Sequence, residues 1–174
     1  DCMGDWNGAG SSCATSCVAG ACCAADASCT FVLESDCDGA FSADLACADV
    51  TCIEAPANTV CSGAIAITDG DTAIDNTAAL TDGPDDFTAC DNFDVTQMFN
   101  DVWYSYTATC DGTVTVSTCD TVDFDSRLAA YDACGGTMLV CNDDCAGANN
   151  ALSSEMALSM MAGDSIVIRV GNFA

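Results

Sequence analysis

Asp101-Val102-Trp103-Tyr104-Ser105-Tyr106-Thr107 sets Val102, Tyr104 and Tyr106 on one face of an extended chain and Trp103 and Ser105 on the other. Ser165-Ile166-Val167-Ile168-Arg169-Val170-Gly171 alternates in the same way, Ile166, Ile168 and Val170 against Val167 and Arg169. Between them, Thr113 to Thr118 alternates Val114 and Val116 with Thr and Ser after an Asp111-Gly112 turn that reads as a hairpin. Leu128 to Tyr131 and Thr137 to Cys141 flank Gly135-Gly136, and Glu155 to Met161 alternates Met156, Leu158 and Met160. Upstream, Ala64-Ile65-Ala66-Ile67 is a first strand, followed by an Asp69-Gly70-Asp71 turn, with Thr72 to Leu80 the candidate for a second. Roughly eight short strands at such spacing, with no convincing amphipathic helix, predict an all-β fold, a jelly-roll-like β-sandwich.

Residues 1–55 are different: rich in Cys, Ala and Gly, with little periodicity. The change falls at Glu54-Ala55-Pro56-Ala57-Asn58, where Pro stiffens a linker, so a Cys-rich, loop-dominated module over 1–55 precedes a sandwich over 56–174. Asp1-Cys2, Cys13 and Cys17 echo Asp36-Cys37, Cys47 and Cys52, about one and a half copies of a small repeat.

The chain has 174 residues and 16 Cys, a density that marks a disulfide scaffold in an oxidising compartment, secreted or at the cell surface. All sixteen are expected in bridges: Cys2, Cys13 and Cys17; Cys22, Cys23, Cys29, Cys37, Cys47 and Cys52; Cys61, Cys90, Cys110, Cys119, Cys134, Cys141 and Cys145. The first and last groups are odd in number. A bridge joining module to sandwich is therefore expected, the alternative being thiols that stay free or reach another chain.

Charge excludes whole classes of function. There are 27 Asp and Glu, all but Glu34, Glu54 and Glu155 being Asp, against 2 Arg, with neither Lys nor His, for a net charge of −25. Without His or Lys there is no Ser-His-Asp triad, His metal site, Schiff base or Walker-type phosphate loop, and no base to activate a Cys. Nucleic acid and anionic lipid are repelled, and no apolar run is long enough to insert in a membrane. No catalytic residue is assigned, and the chain reads as a non-enzyme.

Read as a series, Asp101 to Tyr106, Gly112 to Cys119, Phe124-Asp125-Ser126-Arg127-Leu128-Ala129-Ala130-Tyr131, Cys141-Asn142-Asp143-Asp144 and Ala162-Gly163-Asp164 to Gly171 resemble the bacterial pre-peptidase C-terminal type of β-sandwich over about residues 58–172. The likeness is to the Cys-rich form common in secreted planctomycete-like proteins. It implies a non-catalytic extracellular module carried by secreted enzymes and large surface proteins. Such sandwiches usually continue past the Arg-Val-Gly strand, so the sandwich is expected to lack its last strand and to offer an open edge to a neighbour. From this comes the expectation of a structural protein: copies of itself assembled into a surface filament, stalk or sheath through disulfides and strand contacts. The alternative is an accessory module of a secreted enzyme that binds polysaccharide or cell wall.

Asp123, Asp125, Asn142, Asp143 and Asp144, with Asp132 nearby in sequence, are the candidate ligands for a cofactor, calcium, since their loops can converge at one end of a sandwich and offer hard oxygens. Asp69, Asp71 and Asp75 read as turn chemistry. Arg127 and Arg169 are expected to pair with Asp or pack on aromatic rings. Trp103, Tyr104, Tyr106 and Tyr131 are either a sugar-stacking platform or core pairs. Trp6 is a contact residue or a plug in its module. No ligand-binding residue is singled out beyond these.

Overall fold

The computed structural model describes residues 18–90, 95–145 and 152–173. The chain divides into two compact units, Asp1–Ala55 and Pro56–Ala174.

In the first unit, β1 (Ala19–Cys23) lies between β2 (Cys29–Leu33) and β3 (Ala40–Ala43), both antiparallel to it. Among the described residues of this unit only Gly20, Ala21 and Cys22 are buried, little apolar surface to hold a fold. Among the described residues three bridges supply the difference: Cys22–Cys37, Cys23–Cys52 and Cys29–Cys47. At Gly20 a Cβ would collide with the Ser42 carbonyl, so β1 can approach β3 only without a side chain there. Cys2, Cys13, Cys17, Trp6 and the first copy of the repeat lie outside the described residues.

The second unit is a β-sandwich. β4 (Ile65–Ile67), β5 (Phe99–Thr107), β10 (Ser165–Asn172), β7 (Ser126–Tyr131) and β8 (Met138–Asn142) form one sheet in that order. β4 runs parallel to β5 and the other pairs are antiparallel. β6 (Gly112–Ser117) and β9 (Glu155–Met160) form the second sheet. Alternation decides what faces the gap between them. Val102, Tyr104, Tyr106, Leu128, Ala130, Ile166, Ile168 and Val170 meet Met156, Met160 and the half-buried Val114, Val116 and Leu158 in the main core.

The other face of the large sheet is also covered. Trp103, Ala129 and Tyr131 pack beneath Phe87 and Met98 from the connection between β4 and β5, which Cys90–Cys141 ties to β8. Cys61–Cys134 and Cys119–Cys145 complete this unit's bridges.

Four expectations change. Thr72 to Leu80 is irregular, not a strand; its backbone serves the β5 side chains instead, the Tyr104 hydroxyl donating to the Ala73 carbonyl at 3.3 Å. The Asp111-Gly112 turn does not close a hairpin, because β6 crosses to pair with β9. The strand ending at Gly171 is no open edge: β10 is hydrogen-bonded on both sides, between β5 and β7, and the sheet's edges are β4 and β8. Finally, Cys110 is not bridged but is an exposed free thiol in the β5–β6 turn, where the other six cysteines of this unit have already paired with one another. Every bridge among the described residues closes within one unit, and the expected crossing bridge is not among them.

Candidate functional site

Opposite the large sheet, the second layer has two strands among the described residues, and these leave part of the apolar face unroofed. The gap is a cleft of about 720 Å³ between residues 67–74 and β6, within the size range of small-ligand sites. Its floor is Tyr104, Tyr106, Leu128, Ile168 and Val170. One wall is Ile67-Thr68-Asp69-Gly70-Asp71-Thr72-Ala73-Ile74, and the other is Val114-Thr115-Val116-Ser117-Thr118 with Thr121. Gly70 has φ +117°, a value that side-chain-bearing residues avoid. It turns the wall so that Asp69 and Asp71 both stand at the rim, exposed.

The Tyr106 hydroxyl donates to Asp69 Oδ1 at 2.7 Å. This carboxylate, accepting the phenol proton's hydrogen bond, holds the Tyr106 phenol above its ordinary range. Tyr104 is also raised, chiefly by burial, with the Asp75 charge adding to it. At the inner end Thr118 is buried, its hydroxyl 2.7 Å from the Ser126 hydroxyl and donating to the Ser154 carbonyl at 3.1 Å. An apolar floor with aromatic rings and a rim of carboxylates and hydroxyls can hold a polyhydroxylated ligand: rings and methyls against its C–H face, oxygens on its O–H groups. The Asp69-Gly70-Asp71 stretch, expected to be a turn and nothing more, is a wall of this cleft.

The aromatic residues do not form one platform. Tyr104 and Tyr106 face the cleft, whereas Trp103 and Tyr131 lie on the opposite side of the sheet, each 2% exposed, their rings 5.6 Å apart. Trp103 Nε1 donates to Asp82 at 2.8 Å and the Tyr131 hydroxyl to Asp86 at 3.1 Å, and burial pushes the Tyr131 phenol up to about 12.

Both arginines lie on that far side. Arg127 makes a two-pronged contact with Asp143 (Nε–Oδ1 3.0 Å, Nη2–Oδ2 3.1 Å), its guanidinium 4.7 and 4.4 Å from the Phe87 and Phe173 rings. Arg169 bonds Asp101 at 2.9 Å, the Gln97 side chain, and the Pro84 and Met98 carbonyls. A Cβ at Gly83 would collide with that guanidinium. Burial outweighs the Arg169 contact and raises the Asp101 carboxyl.

The candidate calcium ligands are placed as follows. Asp143 is buried with both oxygens on Arg127, and Asn142 Oδ1 accepts the Glu155 N–H at 3.0 Å. Asp123 and Asp144 are exposed, and Asp125 is half-buried. Burial, then the Asp143 and Asp144 charges, raise the Asp125 carboxyl, so these three do converge electrostatically. A cation there would share Asp143 with Arg127. Asp132 lies apart from this role, accepting the Thr137 N–H in the β7–β8 turn. Among the described residues, three potential ligand atoms come within 4.8 Å of one another at Cys23, Cys29 and Cys52, which are bridged.

No described helix is long and apolar enough to cross a membrane. Neither the curated proteins nor the solved structures contain a significant match to the chain. Residues 57–172, the whole sandwich, match a T9SS-associated family described as galactose-binding-domain-like, a β-sandwich-type domain of secreted proteins. The association points to secretion or the cell surface. By that match, covering well over half its length, the chain belongs to the T9SS-associated galactose-binding-domain-like family.

Proposed function

We propose that the protein is a secreted, non-catalytic carbohydrate-binding module, accessory to an enzyme or surface protein, and that the cleft between residues 67–74 and β6 holds the saccharide. The cleft is the observation that carries the reading: an apolar, tyrosine-bearing floor with oxygen-rich walls, on a chain with no His or Lys to do acid–base work. Family membership supports it. The motive for assembly by strand addition at the last strand falls away, because β10 is already flanked on both sides.

Calorimetric titration with a panel of short oligosaccharides tests the proposal. Wild type binds at least one of them. Thr72→Trp, an exposed wall position where a bulky ring fills the space, lowers affinity by about tenfold or more, the scale on which a well-placed contact is lost, with an unchanged melting temperature. A panel without a binder, or a Thr72→Trp variant that binds as wild type does, overturns it.

A further inference from the structure

We infer that the saccharide taken by the cleft is a basic one, an oligomer of glucosamine type with free ammonium groups; this rests on the carbohydrate reading above and names its ligand class. Three observations lead to it. Asp69 and Asp71 stand exposed at the rim, and the charge of Asp75 is felt at Tyr104 on the floor. No cationic side chain lines the cleft, and the chain's only two, Arg127 and Arg169, are fully buried on the opposite face of the sheet and committed to Asp143 and Asp101. The tyrosine hydroxyls facing the cleft are spent as donors, Tyr106 on Asp69 and Tyr104 on Ala73.

The cleft therefore offers carboxylates, hydroxyl oxygens able to accept, and negative charge with no cation to balance it. An ammonium group is donor-only and positive, and matches both properties. A uronic or sulfated sugar would bring a second anion to carboxylates with no cation between them, and the field of a −25 chain opposes its approach. Within a walled cleft, salt screens a charge pair less than it does on open surface, so the preference belongs to the cleft more than to the surface at large.

The test compares three probes by calorimetry: a short glucosamine oligomer, its fully N-acetylated counterpart and an oligogalacturonate. The glucosamine oligomer should bind about five- to tenfold more tightly than the acetylated one, the size expected of one or two partly exposed ion pairs, with no binding of the uronate. The gap should narrow in roughly half-molar salt. It should also close in Asp69→Asn/Asp71→Asn, where the new carboxamide at position 69 keeps an oxygen for the Tyr106 hydroxyl, and persist in Asp38→Asn/Asp85→Asn, which removes equal charge from exposed positions outside the cleft. Equal or tighter binding of the acetylated oligomer overturns the inference and leaves the carbohydrate reading standing. Equal loss of preference in both double variants overturns it in favour of diffuse attraction. Failure of all three probes, together with the broader panel, overturns both.

Discussion

At the scale of single residues, the buried arginines hold the sandwich's far face together. Arg169 and Asp101 are both fully buried, and a buried pair stripped of one partner leaves a charge that neither water nor protein compensates. Arg169→Leu should therefore lower unfolding free energy by about 3–5 kcal/mol in urea denaturation, and adding Asp101→Asn should recover part of the loss. A single variant within about 1 kcal/mol of wild type would show that the pair is not structural. The tyrosines give a second measurement. The chain has three, Tyr104, Tyr106 and Tyr131, all raised and Tyr131 to about 12. Near-ultraviolet titration of folded protein should show little tyrosinate at about pH 10, where free tyrosine is half ionised. Ordinary ionisation at that pH would contradict the packing. That each Arg would find an Asp or an aromatic ring was legible from its place in a strand. Which Asp was not, since Asp101 and Arg169 stand 68 residues apart and meet only because β5 and β10 are neighbours.

At the scale of elements, alternation found β5, β6, β9 and β10, whereas β7, buried along its whole length, and β8 were marked by the Gly135-Gly136 turn between them. Pairing itself was not legible. β6 has the same alternation whether it folds back on β5 or crosses to β9, and tertiary contacts decide: Ala108 bonds the 163–164 turn and Asp111 caps Ala162, holding the β5–β6 turn against the end of β9. Residues 72–80 carry strand-like composition yet pair with no described strand, and their first three, Thr72-Ala73-Ile74, belong to the wall of the cleft. The cleft was hidden for that reason; nothing in Asp69-Gly70-Asp71 distinguishes a wall from a turn. The layer over the second face depends on a covalent tie, Cys90–Cys141. Cys90→Ala/Cys141→Ala should lower stability by about 2–5 kcal/mol and raise amide exchange at Met98 and Trp103 ahead of Ile166 and Ile168. Uniform loosening across both faces would show that this layer is not a separate unit of stability.

At the scale of the molecule, the dominant fact is negative charge. Asp101 and Asp125 are raised in the folded state, burial being the leading cause in both. Between the unfolded carboxylate value of about 3.9 and their raised folded values, the native state holds more protons than the unfolded chain, so stability rises as pH falls through that window. Relief of self-repulsion in a −25 chain acts in the same direction. The melting temperature should therefore climb as pH is lowered from neutral toward the unfolded carboxylate value, the reverse of acid denaturation. Asp125→Asn should be more stable than wild type at neutral pH, with a flatter profile. A melting temperature that falls steadily over this range would show that carboxylates paired in the native state outweigh these two.

The position of β10 carries a consequence for how the polypeptide matures. Residues 165–172 lie at the centre of the large sheet, between strands delivered long before them. Without residues 165–172 the β4–β5 and β7–β8 pairs share no backbone ladder and are tied only through side-chain packing and the Cys61–Cys134 and Cys90–Cys141 bridges. The large sheet is therefore continuous only once β10 is seated between β5 and β7, so its closure rests on contacts between residues far apart in sequence.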